Sequence, residues 1–497
     1  MKTYWRRLVA AGVGGILSLL AVWQLENARS GLSIETLSVG STPITVYQRA
    51  DISSAPAIVV THGFAGSRQL MEAYSLTLAQ AGYVVAAFDF LGHGRNPVPM
   101  SGDVEAIDGT TRLLMNEIAA VTDVALGLPG VDGRVALLGH SMASDIIVRQ
   151  AMEDRRVRAV VAISMFSEAV TPTEPRNLLI ISGEWEGALR SDGLRNLRLA
   201  EASASEGETV GDPASNGGRR AVVAPNVEHV GVLYSQTALE ETRTWLDAVF
   251  QRSSAGPVSA TGIWIILLLA GLVILAWPLS KFLPDHDPTP PAIGMRVYLL
   301  AVLVPAVITP LVLSLFETRF LPVLVADYLA VHLLVYGTLS IGILSWNGVR
   351  IGHVAWLSAL AFAAYGIFVF GGALDRYVAS FMPVADRLPI IGAIAVGAVA
   401  TMTADSLATE AGRTSFFRVI LARGCFLASL GAAVALDFER LFFLIMIIPI
   451  ILLYFIVFGL MGGWVGRRTH SPGATGLALG LILAWSLGVS FPLFSAA

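Results

Sequence analysis

The chain predicts two folds in one polypeptide: an α/β domain with a mostly parallel sheet covered by helices on both faces, followed by an all-α transmembrane bundle. Three observations predict this. Between residues 30 and 255, short and continuously apolar runs alternate with helical patterns, which is how strands buried on both faces by crossover helices read. Residues 261–497 are apolar segments of spanning length broken by short polar loops. The whole chain of 497 residues is 55% hydrophobic and only 14% charged, with a mean hydropathy of +0.67, too apolar for a soluble protein of this length. The expected division is a membrane helix in 1–29, the α/β domain in 30–255 and a membrane domain of about eight helices in 256–497.

Leu8 to Leu25 is a Gly/Ala/Leu/Val run behind Lys2, Arg6 and Arg7. No small-x-small cleavage site follows, so it reads as an uncleaved signal anchor, with a cleaved signal peptide as the alternative. The basic flank holds the N-terminus in the cytoplasm and sends the following chain across. Leu32–Val39 and Ile44–Gln48 alternate in the strand period. Ala57–Thr61 and Tyr83–Asp89 are buried strands either side of a helix, Leu70–Gln80, that Gly82 ends. Glu105–Leu128 reads as a helix stopped by Pro129-Gly130. Arg158–Ser164, Asn177–Ser182 and Arg220–Ala224 are further strands, and Gln236–Phe250 is a closing helix. The link from Phe166 to Asn177 is too short for a helical lid. Residues 188–219, rich in Gly, Ser, Glu and Asp without a strong period, read as a flexible excursion.

The stretch that carries chemistry is Arg134–Ala151, RVALLGHSMASDIIVRQA. A short strand, Val135–Leu138, runs into a tight turn and then a helix with apolar residues at Met142, Ile146, Ile147 and Ala151. A serine at such an apex, here Ser141, is a nucleophile elbow. Gly139 and Ala143 supply the small residues needed where strand and helix nearly collide.

Together with HGFAGS (62–67), DFLGHGRNP (89–97), GEWE (183–186) and EHVG (228–231), in that order around GHSMA, residues 33–250 resemble an α/β-hydrolase domain. The resemblance does not extend beyond residue 260. Acyl transfer by a serine needs a base, a group that orients it, and donors for the oxyanion. Of the four histidines in the domain, His62 sits in the His-Gly loop, His93 in a Gly-His-Gly turn and His140 beside the nucleophile. His229 remains, where similar enzymes place the base. Similar enzymes read G-x-x-D after a late strand, which puts Glu186 on the acid position, with Glu184 and Glu168 as alternatives. The expected oxyanion donors are the amides of Met142, at a helix N-terminus, and Phe64. The Phe64 ring either lines an acyl pocket or is a plain core aromatic. His140 is grouped with Phe64 as substrate-binding, and His93 is expected to cap its own turn.

The reading is a membrane-anchored serine hydrolase that cleaves an ester-type acyl bond through an acyl-enzyme. A peptidase, a thioesterase or an acyltransferase would use the same pattern. The alternative is a catalytically silent sensor or binding module controlling a transporter or channel formed by the bundle. No cofactor and no metal are expected. The partners expected are an ester or lipid-like small molecule and membrane lipids; a net charge of −4 argues against nucleic acid. The single cysteine, Cys425, excludes a disulfide framework or a cysteine metal cluster.

The spans read as 8–25, 261–280, 296–316, 323–345, 353–371, 388–404, 418–437, 441–462 and 474–494. Loops on the side of the N-terminus carry Lys2, Arg6, Arg7, Lys281, Arg296, Arg350, Arg413, Arg418, Arg467 and Arg468; the opposite loops carry Arg319, Arg376, Arg387 and Arg440. That asymmetry predicts a bacterial inner-membrane protein with a periplasmic α/β domain. Asp327 and His332 share a span, but their spacing sets them about 140° apart on a helix. Arg423 is expected to snorkel. Asp285-His-Asp287 reads as a solvated loop rather than a metal site, and no broken-helix pattern of a transporter is evident.

Overall fold

The computed structural model describes residues 2–103, 106–286 and 292–495. Among the described residues two compact units emerge: a sheet unit within 21–266, 374–380 and 492–495, and a helical unit within 2–20, 267–373 and 381–491. The division therefore differs from the boundaries read along the chain, because two short segments from the C-terminal half pack with the sheet.

The sheet unit holds nine strands: β1 (Leu32–Val39), β2 (Thr42–Arg49), β3 (Ala55–Thr61), β4 (Val84–Phe88), β5 (Val131–His140), β6 (Val157–Ile163), β7 (Leu178–Gly183), β8 (Thr209–Val210) and β9 (Arg219–Ala224). Their order is β1-β2-β4-β3-β5-β6-β7-β9-β8. Strands β3 to β7 and β9 run parallel; β1, β2 and β8 are antiparallel additions at the edges. Every residue of β3 and β4 is buried, as continuous Val/Ala runs require when helices cover both faces. After the N-terminal helix α1 (Lys2–Asn27), α2 (Glu72–Gln80), α3 (Arg112–Leu126), α4 (Met142–Glu153), α5 (Gly187–Arg198) and α6 (Gln236–Phe250) supply that cover.

Two expectations change here. The helix expected from Glu105 begins at Arg112, after a wide turn, Ile107–Thr111, in which Gly109 is non-helical; Glu105 itself lies outside the described residues. Residues 188–219 are no shapeless excursion. They form α5 and β8, with β8 pairing onto β9 and Arg190 gripping Glu206 through two hydrogen bonds of 2.8 and 2.7 Å. The buried face of α5 is Gly193, Asn196 and Leu197. Helical spacing is present, but two of the three are small or polar, so hydropathy hides the period.

Segment 374–380 and the C-terminal residues pack on loops at the carboxyl edge of the sheet. Ser380 donates its amide to the Ser67 hydroxyl (3.1 Å) and its own hydroxyl to Gln69 (3.1 Å), in the loop after β3. Arg95, after β4, pairs with Asp375 at 2.6 Å. Leu493 exchanges backbone hydrogen bonds with Gly92 and Met100.

Among the described residues, nine helices are long and apolar enough to cross a membrane: Tyr4–Asn27, Gly262–Phe282, Met295–Leu313, Ala326–Trp346, Trp356–Tyr377, Ala385–Ala408, Phe416–Leu436, Leu444–Thr469 and Pro472–Ser490. Each overlaps an expected span. Within the helical unit, Gly476, Gly480 and Gly488 lie so close to Thr403, Val399 and Ile391 that a Cβ would overlap them, the close approach that small residues permit between membrane helices. Asp327 accepts the amides of Tyr328 (2.7 Å) and Phe320 (3.3 Å), whereas His332 meets the Ser429 hydroxyl at 3.1 Å, so the two are not brought together. Arg423 does not snorkel. It pairs with Asp405 through hydrogen bonds of 3.3 and 3.1 Å, a partner missed because the span was read as ending at residue 404. Of the Asp285-His-Asp287 triplet, Asp285 pairs with Arg468 at 2.6 Å, and Asp287 lies outside the described residues.

Candidate active site

Strand β5 ends in Gly139-His140, and α4 starts at Met142. Ser141 between them has φ 55° and ψ −120°, a strained conformation for a residue with a side chain, typical of functional turns. The crowding that forces small residues here is measurable. A Cβ on Gly139 would lie 2.6 Å from the Thr61 hydroxyl and 3.1 Å from the Ala143 carbonyl.

The structure brings Ser141, His229 and Glu186 together from three distant loops. His229 Nε2 lies 2.8 Å from Ser141 Oγ, and its Nδ1 lies 2.5 Å from Glu186 Oε1. His229 follows β9 and Glu186 follows β7, so the parallel order of the strands puts all three side chains at one sheet edge. Glu186 Oε2 is held by the Gly183 amide at 2.6 Å and the Ser164 hydroxyl at 2.8 Å. Burial alone would push this carboxyl up; the His229 hydrogen bond, the Gly183 amide and the Ser164 hydroxyl outweigh it and hold it below the usual range. The rival carboxylates are elsewhere. Glu184 accepts the Asn226 amide at 2.8 Å, and Glu168 is exposed to solvent.

Gly63 lies against Ser141: a Cβ there would stand 2.9 Å from Ser141 Cβ. This brings the Gly63 backbone alongside Ser141, and Met142 opens α4 directly after it. The Phe64 ring is half-buried and meets His93 edge-on, with centroids 5.7 Å apart. His93 Nδ1 donates to the Leu91 carbonyl at 2.8 Å, within its own turn.

His140, expected among the substrate-binding residues, packs beneath the site. As the last residue of β5 it is 3% exposed, and its Nε2 donates to the His229 carbonyl at 2.8 Å. Burial first, then the neighbouring His229, push its pKa down to about 3, so the ring is neutral. His62 is likewise buried and neutral, its pKa lowered by burial, with Nδ1 donating to the Gly63 carbonyl and Nε2 accepting the Phe90 amide.

Sequence reasoning missed Ser164, whose only signal was its place at the end of β6. It also missed Glu228, whose carboxylate accepts the Val230 and Gly231 amides at 2.7 and 2.8 Å and ties the turn after His229.

Chemically, a hydroxyl bonded to an imidazole that is in turn bonded to a buried carboxylate can relay a proton away from the oxygen as it attacks. Fold and site together define an α/β-hydrolase-like domain. Residues 53–190 match the family described as serine aminopeptidase, S33. No curated protein matches the chain. Among solved structures, the chain is similar to Est1E from Butyrivibrio proteoclasticus, at 14% identity and a TM-score of 0.31 over 44% of this chain and 99% of that one. It is similar to epoxide hydrolase VrEH1 from Vigna radiata, at 14% and 0.29 over 45% and 99%. A third is a membrane phospholipase A described as a novel bacterial virulence factor, at 15% and 0.31 over 50% and 99%.

Proposed function

We propose that this protein is a membrane-anchored serine hydrolase that cleaves ester-type acyl bonds. Ser141 is the nucleophile, His229 takes its proton and returns it to the leaving group, and Glu186 holds the imidazole in the tautomer with Nδ1 protonated. The amides of Met142 and Phe64 stabilise the oxyanion. The observation that carries this reading is the unbroken chain of short hydrogen bonds from Ser141 through His229 to Glu186.

An apolar acyl group suits the surroundings. Phe166, Trp185 and Val230 are large side chains left exposed on the loops that carry Ser164, Glu186 and His229, and exposed apolar groups gathered at a site mark ligand contact. The matched family is described by an aminopeptidase, so esters and amino-acid anilides belong in the same assay. The charge asymmetry of the loops supports an extracytoplasmic position for the sheet unit; cysteine labelling of Glu168→Cys in intact cells tests it.

The deciding experiment uses full-length protein in detergent. A fluorophosphonate probe is expected to label the wild type and not Ser141→Ala, and p-nitrophenyl esters are expected to turn over faster than aminoacyl p-nitroanilides. Equal labelling of both proteins would remove Ser141 as nucleophile. Faster anilide turnover would replace the ester by a peptide.

A further inference from the structure

The helical unit contains a cavity of about 720 Å³ between helices 416–436 and 444–469, backed by 388–408 and 472–490. Its volume is that of a small-molecule site. Most of its wall is apolar, including Ile420, Leu452, Ile456 and Leu460, which are themselves 47% or more exposed on the outer surface of the unit. Three polar features break that wall.

Arg423 and Asp405 face the cavity as a paired guanidinium and carboxylate, with side chains only 16% and 9% exposed. Arg423 uses three of its five N–H donors, two on Asp405 and one on the Phe455 carbonyl; two remain without a partner among the described residues. Gly459 makes room for this guanidinium, since a Cβ there would overlap it. The second feature is Ser406. It is 2% exposed, lines the cavity, and its hydroxyl has no partner among the described residues. A buried hydroxyl without a partner costs stability unless something occupies it. The third is Arg467, which lines the cavity near the end of helix 444–469 and adds a further positive charge.

Arg423 lies seven residues inside its helix, about 10 Å from the end. Ionisable groups at such depth mark functional sites. The Arg423–Asp405 pair is neutral as a unit, so the uncompensated charge of the cavity is that of Arg467. We propose that this cavity is a binding site for an anionic amphiphile. Its acyl chain lies along the apolar wall, a carbonyl or acid oxygen accepts from Ser406 and the spare Arg423 donors, and the negative head is drawn to Arg467. An acidic phospholipid and a free fatty acid share this chemistry. The site lies wholly within the helical unit and does not depend on the serine chemistry.

Removing Arg423 alone would strand the buried Asp405 carboxylate, so the test works on the apolar wall and the hydroxyl. Full-length protein in neutral detergent is titrated with dioleoyl phosphatidylglycerol, oleate or dioleoyl phosphatidylcholine and read by native mass spectrometry. One anionic amphiphile per chain is expected on the wild type. Occupancy is expected to fall by about tenfold in Ile456→Trp, which plugs the cavity from an exposed position, and severalfold in Ser406→Ala. Retention of phosphatidylglycerol alone identifies a phospholipid, of oleate alone a fatty acid, and of both the shared chemistry. The proposal is overturned if no lipid is retained, if phosphatidylcholine binds as well as the anions, or if Ile456→Trp binds like the wild type.

Discussion

His140 donates through Nε2 to the backbone carbonyl of His229 at 2.8 Å, so the residue before Ser141 helps to fix the position of the imidazole at 229. The two rings lie 4.7 Å apart and tilted by 45°. Replacing His140 by Ala removes the donor from the His229 carbonyl, a loss on the order of 1 kcal/mol. Ester turnover is expected to fall about tenfold in kcat with little change in KM. His140→Gln, which retains a donor, is expected to recover part of the loss. Steady-state kinetics on p-nitrophenyl esters checks both.

Ser164→Ala removes one of the donors that hold Glu186 in its charged form. The Gly183 amide remains. The carboxyl pKa therefore rises, and on lowering the pH the carboxylate is lost sooner. The acid limb of the pH–rate profile is expected to move to higher pH, with a severalfold loss at its plateau. An unmoved acid limb would deny Ser164 this role.

Gly63→Ala places a Cβ 2.9 Å from Ser141 Cβ and 3.2 Å from the His140 carbonyl. Either Ser141 or the Gly63-Phe64 backbone must shift. Since a displacement of about 1 Å costs a site on the order of 100-fold, kcat is expected to fall by about that factor. The far ultraviolet circular dichroism and the melting temperature should change much less.

Glu117 is a titrating group outside the site. It accepts from Thr42, Asn96 and the Leu91 amide, tying the loop after β4 to β2. Burial pushes its pKa up to about 7, against the lowering effect of those donors. A carboxyl raised in the folded state binds its proton more tightly there than when unfolded. Its contribution is thus fully present below the unfolded value and lost as pH rises through the folded one. Between about pH 5 and pH 8 this amounts to no more than about 3 kcal/mol. The melting temperature of the wild type is expected to fall across that range by more than that of Glu117→Gln, as followed by tryptophan fluorescence.

Much of the fold was legible because burial on both sides of a parallel sheet leaves long apolar runs, such as Ala57–Thr61 and Asn177–Ser182. α6 runs from Gln236 to Phe250 as expected, since Thr242, Trp245, Leu246 and Val249 repeat at helical spacing. The expectation failed where the pattern lacked hydropathy. α5 buries glycine and asparagine, and the Arg112 helix start is set by a turn at Gly109 rather than by composition. Arg423 could not be matched with Asp405 from the sequence, because a charge at a helix end and one in mid-helix become partners only when two helices pack.

By itself the sequence determined the type of most elements and the residue types at the strand ends, since periodicity and small-residue requirements are local. It did not determine that of α5, whose buried positions carry little hydropathy, or of β8, only two residues long. Tertiary structure alone decided the partners. Which of three glutamates stands 2.5 Å from His229, that His140 turns to a backbone carbonyl, and that residues 374–380 and 492–495 join the sheet unit all depend on how loops far apart in the chain are brought to one edge. Hydrogen-bond geometry at that edge is a property of strand order and crossover packing, and no local stretch encodes it.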